Sequence, residues 1–289
     1  MTYFKRPQIT IDSEGAISIS GPCLMGILNV TPDSFSDGGK YGSIQEVTEM
    51  ALRFAEAGAQ ILDIGGESSR PGSQSVPLVL ELERVLPVIE SIRKYTSVYL
   101  SIDTTKAEVA KQALQAGANI INDISACRQD LKMWQVALQH PLILMHMRGE
   151  PRTMQEQVYY EEVVNEIYAF FEERLSLAHT YGLRSKQIIL DPGIGFGKHP
   201  EHNLKILKHL GKFLSLGCPL LVGASRKSFL GKILDNAPVH ERILGNAAVT
   251  AYCALQGVSL IRVHEVLEMQ QILQVLGAIE QSDWSPKIL

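Results

Sequence analysis

Polar residues in this chain collect where short apolar runs end. Asn29 closes one run and leads into Thr31-Pro32-Asp33-Ser34-Phe35-Ser36-Asp37-Gly38-Gly39. A second run ends in Gly65-Gly66-Glu67-Ser68-Ser69-Arg70-Pro71-Gly72, and a third in Asp103. Asn122, His146 and Arg148, Asp191-Pro192-Gly193, Gly223-Ala224-Ser225-Arg226-Lys227-Ser228 and Arg262-Val263-His264 mark the next five. Two chemical sets emerge. Asp103, Asn122 and Asp191 can accept hydrogen bonds from a donor-rich heterocycle. Arg70, Lys227, Arg262 and His264 can hold a phosphate or a carboxylate. Ile124, Met145 and Phe196 are apolar enough to sandwich a flat ring between the two sets.

Each residue also has a plainer reading. Asp103 precedes Thr104, Thr105 and a helical segment, so it serves equally well as a helix cap. Asn122 is harder to set aside, because an amide inside an apolar run needs partners. Asp191-Pro192-Gly193 makes a good turn, but Gly195 and Gly197 straight after it favour a backbone shaped for close approach to a ligand. Ser225 is a natural N-cap for a short helix, and backbone N–H groups at a helix start favour an anion. Arg262 and His264, two apart on a strand, share a face. An unpaired arginine on an inward face is too costly to be filler. His199-Pro200-Glu201-His202 resembles a metal pair only superficially and fits a solvated helix start.

The elements that carry these residues alternate. Strand-like runs cover 24–30, 60–64, 98–102, 120–124, 142–147, 187–190, 219–222 and 260–263. Helical segments cover 44–57, 77–95, 106–116, 131–139, 158–181, 200–210, 242–256 and 264–279. Gly58, Gly117, Gly182 and Gly257 stand where helices should stop. Eight β–α units with continuous apolar strands predict an α/β protein with a parallel sheet. Eight strands also close a barrel, which is preferred here over an open, doubly wound sheet. In such a barrel the polar strand ends share one rim. Ahead of these units, Gln8–Ile11 and Ala16–Ile19 flank a turn at Ser13-Glu14-Gly15 and read as a β-hairpin. With no linker or low-complexity stretch, residues 1–289 read as one domain, with 1–22 the hairpin and 23–280 the barrel.

Composition narrows the function classes. The 289 residues are 45% hydrophobic and 20% charged, with a net charge of −4. That is enough for a large core and argues against a broad basic face for nucleic acid. No apolar run approaches the ~18 residues of a membrane span. No apolar stretch follows Lys5-Arg6, so no secretory leader is expected. Cys23, Cys127, Cys218 and Cys253 are far apart and fit buried thiols in a reducing cytoplasm, not a zinc site.

The long motifs from Gly26 to Gly39, Asp63 to Gly72 and Asp191 to Lys198, with Gly223–Ser228 and Arg262-Val263-His264, resemble the dihydropteroate synthases of the folate pathway. The likeness runs from about Cys23 to beyond Glu265. It implies a (β/α)8 TIM barrel whose bottom is closed by the hairpin. It implies condensation of 6-hydroxymethyl-7,8-dihydropterin diphosphate with p-aminobenzoate to dihydropteroate and diphosphate, by a substitution in which diphosphate leaves first. By this resemblance Asp103, Asn122, Ile124, Met145, Asp191, Gly223, Lys227 and Arg262 form the pterin pocket. Asn29, Arg70, Arg262 and His264 take the diphosphate. Mg²⁺ has Asn29 and Asp37 in its shell, and Asp103, Lys227 and Asp37 carry the catalysis. Phe35, Ser69, Arg70, Pro71, Phe196, Lys227 and Ser228 form the p-aminobenzoate subsite, which sulfonamides should share. Many members of the family have Thr where this chain has Ser69; the hydroxyl is kept, a methyl is lost, and sulfonamide affinity is the property at stake. A homodimer is implied, and helices 242–256 and 264–279 carry more apolar surface than one barrel face needs. Two other readings are a corrinoid-linked pterin methyltransferase and an inert pterin-binding module. The first has no need of the Ser225–Ser228 and Arg262/His264 anion sites, and the second should have lost Lys227, Arg262 or the loop residues.

Overall fold

A computed structural model describes residues 8–30, 40–156 and 158–280. Eight parallel strands form the barrel: β3 (Cys23–Asn29), β4 (Ile61–Gly65), β5 (Tyr99–Asp103), β6 (Ile120–Asp123), β7 (Leu142–Met145), β8 (Ile188–Asp191), β9 (Leu221–Val222) and β10 (Leu260–Val263). They pair in the order β8-β7-β6-β5-β4-β3-β10-β9. A parallel bridge between Leu190 and Leu220 joins the two ends, with Leu190 N–H donating to the Pro219 oxygen at 3.0 Å. The expected strand at 219–222 is shorter than its apolar run because Pro219 has no N–H to give to a ladder. The barrel, not the open sheet, is therefore the observed architecture.

Alternation along the strands separates two environments. Leu62, Ile64, Leu100, Ile102, Leu142, Leu144 and their equivalents point outward and are buried under the helices. Met25, Ile61, Ile120, Ile143, Ile189, Leu221 and Leu260 point inward and fill the lower barrel. The hairpin, β1 (Gln8–Ile11) and β2 (Ile17–Ser20), packs Ile9, Ile11, Ile17 and Ile19 against that lower layer. Two residues further along the strands, the inward positions change character to Asp63, Ser101, Asn122, Asp191 and Arg262; Asp63 pairs with Ser101, and Asp103 with Asn122. The site is built on this change.

Outside the barrel lie α1 (Lys40–Glu56), α2 (Leu78–Arg93), α3 (Ala107–Gln115), α4 (Met133–Val136), α5 (Val163–Thr180), α6 (Pro200–Lys208), α7 (Leu210–Leu214), α8 (Ser228–Ile233), α9 (Ile243–Leu255) and α10 (Val266–Glu280). The glycines expected to stop four of these helices all have positive φ. Two helices differ from expectation. The segment 131–139 is only α4 plus a 3₁₀ turn, because His140 precedes Pro141 and is extended (φ −137°). The helix expected from 158 starts at Val163, because Tyr160 is held at the rim: its hydroxyl donates to the Gly197 oxygen at 3.1 Å, and the Arg148 guanidinium lies 4.0 Å from its ring centre. All four cysteines are free and buried. No described helix is long and apolar enough to cross a membrane.

Candidate active site at the carboxyl rim

Arg262 organises the site. Its Nε donates to Asp63 Oδ2 at 2.6 Å and a terminal nitrogen donates to Asp103 Oδ2 at 3.0 Å. Asn122 Nδ2 donates to the same Asp63 oxygen at 3.1 Å. One guanidinium thus ties together strands β10, β4 and β5, and the fixed amide of Asn122 leaves its oxygen as an acceptor. The two chemical sets expected from the sequence are therefore not separate poles, because the central cation is already paired with carboxylates. Asp63, fully buried, was not among the expected site residues. The available signal was its place two residues after Ile61, on the inward face of a strand that is otherwise apolar.

The charges perturb one another. Burial and the Asp63 carboxylate push Asp103 well above the ordinary carboxylate range, while Arg262 opposes the shift. Burial also opposes the charge on Arg262, but Asp63 and Asp103 outweigh it and hold the guanidinium above its usual value. Asp103 does not cap α3: Lys106 occupies that position.

Asp191 ends β8 and is pushed up to about 6 by burial, against the Gly193 N–H and Lys227. Its Oδ1 accepts that N–H at 2.7 Å. Only glycine fits at 193, where φ is +67° and a Cβ would lie 2.0 Å from the His146 oxygen. The same loop carries Phe196, which is buried with Ile124, Met145, Met147 and Met154 in a small apolar cluster. Lys227 Nζ stands 3.8 Å from the Phe196 ring centre. Burial and the Arg262 charge bring Lys227 down to about 8. A Cβ on Gly195 would come within 2.9 Å of the Lys227 stem.

Two expectations at the anion side need correction. Ser225 is not the cap of α8; Arg226 at φ +61° turns the chain, and Lys227 holds the N-cap position. Ser225 Oγ instead donates to Glu265 Oε2 at 3.0 Å and lies 2.9 Å from His264 Nδ1. His264 is not a cation: burial and the nearby Arg226 and Arg262 push it down to about 3. It can offer an anion a hydrogen bond but no charge.

Of the remaining expected residues, Asn29 ends β3 half-buried, and Met145 ends β7. Gly223 follows β9 beside the Arg262 stem, and Ser228 opens α8. Ser69, Arg70 and Pro71 lie in the loop after β4, with Arg70 and Pro71 exposed. Glu67 clamps the root of that loop, accepting from Lys106 Nζ at 2.5 Å and from the Val76 N–H at 3.1 Å. Phe35 and Asp37 lie outside the described residues. His199 and His202 sit at the start of α6, where His202 Nδ1 accepts the His199 N–H at 3.2 Å.

Residues 25–264 match the family model described as pterin binding enzyme. A dihydropteroate synthase from Synechocystis is 48% identical over 258 residues, covering 89% of each chain. The crystal structure of the Yersinia pestis dihydropteroate synthase with a sulfonamide drug superposes with a TM-score of 0.84 at 41% identity, covering 90% of this chain and 95% of that one. The Xanthomonas albilineans enzyme with 4-aminobenzoic acid gives 0.87 at 40% identity, covering 94% and 98%.

Proposed function

The chain belongs to the pterin-binding enzyme family, and on that premise we propose how its residues share the work of the reaction. It is a transferase that acts as a dihydropteroate synthase, joining 6-hydroxymethyl-7,8-dihydropterin diphosphate to p-aminobenzoate and releasing diphosphate. The observation that carries the assignment of roles is the Arg262–Asp63–Asp103–Asn122 network beside Asp191 at the barrel rim.

Asp191 accepts the pterin 2-amino and N3–H donors as a pair. The Gly193 N–H uses one lone pair of Oδ1 and fixes the plane of the carboxylate, leaving a lone pair on each oxygen for the ring. The Asn122 oxygen takes a further ring donor, and Lys227 donates to the ring carbonyl. Ile124, Met145 and Gly223 line the flat faces. Arg262 lies against the ring and reaches toward the diphosphate, which Asn29, Arg70 and His264 also contact. A Mg²⁺ held by Asn29, Asp37 and mainly by the diphosphate would neutralise the leaving group's charge. The oxygen donor of Asn29 suits such an ion, and among the described residues no cluster of His, Cys, Asp or Glu could hold a metal unaided.

Diphosphate leaves first, and the pterin methyl cation that remains is stabilised by Asp103. That role requires the ionised carboxylate, which the Arg262 guanidinium favours. The aniline nitrogen of p-aminobenzoate then attacks from a subsite made by Phe35, Ser69, Arg70, Pro71, Phe196, Lys227 and Ser228. The loops after β3 and β4 exclude water, which would otherwise consume the cation. Sulfonamides compete at this subsite.

We read the whole chain as one domain working in the cytoplasm, a setting that suits four buried thiols. It pairs as a homodimer through α9 and α10, where Leu244, Leu255, Leu267, Val275 and Ile279 are exposed. The test of function is diphosphate release with Mg²⁺, with and without p-aminobenzoate. Release matched by dihydropteroate is expected. Pterin binding without release would indicate a methyltransferase or an inert binder instead.

A further inference from the structure

One buried amino group has no part in the chemistry above. Lys198 is 3% exposed, and among the described residues no carboxylate forms a salt bridge with it. Its Nζ donates to the backbone oxygens of Gly193 at 2.9 Å, Phe196 at 3.0 Å and His146 at 3.2 Å, and lies 3.0 Å from His146 Nδ1. The three carbonyl oxygens are acceptors, and the part played by His146 Nδ1 follows its tautomer. Burial pulls Lys198 well below the ordinary lysine value, and its N–H groups are spent on this cage rather than on solvent. A buried amino group is costly in a protein interior unless it is hydrogen-bonded, so the cage is more than filler.

The partners show what the amino group organises. His146 follows β7, and its backbone N–H donates to the Asp191 oxygen at 2.9 Å, extending the β7–β8 ladder to the rim. Gly193 supplies the N–H that orients the Asp191 carboxylate. Phe196 is the ring under Lys227. The loop from Asp191 to Lys198 is thereby wound around a single amino group, and both its ligand-facing side chains hang from that winding.

We propose that Lys198 is a positioning residue for the pterin-recognising carboxylate: it draws three backbone carbonyls and the His146 imidazole onto one centre and so sets the Gly193 N–H that aims Asp191. The inference rests on Asp191 reading the 2-amino edge of the pterin. Lys198 itself touches no substrate. Its effect is on selectivity for that edge, because a carboxylate free to rotate loses the paired geometry but still accepts a single bond.

The test compares 6-hydroxymethyl-7,8-dihydropterin, which lacks the leaving group and does not react, with its analogue lacking the 2-amino group. Calorimetry gives both affinities for the wild-type protein, K198M and K198R, with thermal melting alongside to confirm folding. The wild-type protein should prefer the amino compound by about tenfold or more, the scale of a charge-assisted hydrogen bond. K198M should bind the amino compound more weakly and lose most of that preference, and K198R should recover part of it. A general loosening would weaken both ligands alike and keep the ratio, which would overturn the proposal. Where K198M does not fold, H146L carries the same test, with H146Q restoring the lost hydrogen-bond partner; an unchanged ratio in a folded H146L also overturns it. A wild-type protein without any preference would instead overturn the reading of Asp191.

Discussion

A single guanidinium serving two carboxylates and, through one of them, an amide makes Arg262 the residue on which the pocket turns. Removing it strands two buried carboxylates. R262A should therefore lose turnover and also about 3–5 kcal/mol of stability, checked by diphosphate release and denaturant unfolding. The carboxylates set a pH window. Asp191 titrates near 6 and must be ionised to accept two donors, so pterin affinity should fall as pH drops through that value. Lys227 loses its charge near 8, so the affinity should fall again above it. D63N removes a negative neighbour that raises Asp103, so the acid limb contributed by Asp103 should move to lower pH in a kcat/KM profile. The folded pKa of Asp191 lies above its unfolded value. The folded state thus holds a proton that the unfolded state has lost between about pH 4 and 6, and stability declines as pH rises through that interval. D191N should lift this penalty, melting higher than the wild-type protein at pH 8 while failing to bind the pterin. An active site built of buried charge is commonly stabilised by losing it.

Strands and loops divide the labour. Strands β4, β6, β8 and β10 place one polar side chain each on the inner wall and β5 places two, Ser101 and Asp103, and their outward neighbours lock them under the helices. The loop after β8 does the finer work, because its turns admit no Cβ at Gly193. G193A should force the loop off His146, weaken pterin binding at least tenfold by calorimetry, and cost about 1–3 kcal/mol through overpacking and strain. The periodicity of the sequence located all eight strands. It overran the helices at 131 and 158, where Pro141 and the pinned Tyr160 overrule an apolar pattern that is otherwise helical.

At the scale of the molecule, the barrel has an apolar floor closed by the hairpin and a charged rim. These are the two halves of the same inward-facing rows. The outer surface is uneven as well: Leu244 and Leu267 stand largely exposed on α9 and α10. If that face joins two copies, L244E with L267E should sediment as a monomer where the wild-type chain sediments as a dimer, and pterin affinity should persist because the rim lies on another side of the fold.

The sequence by itself determined the alternation of eight β–α units, the rim on which chemistry collects and most residues found there, because periodicity and strand ends are local properties of a chain. It could not show that Asp63 belongs with Arg262, which lies 199 residues away, or that the expected cationic set is already half-neutralised. Nor did it show that Ser225 holds His264, or that His264 is uncharged. Those depend on which inward positions meet across a closed barrel, and on the loss of water there. Register and desolvation act between strands distant in sequence, so only the tertiary structure decided them.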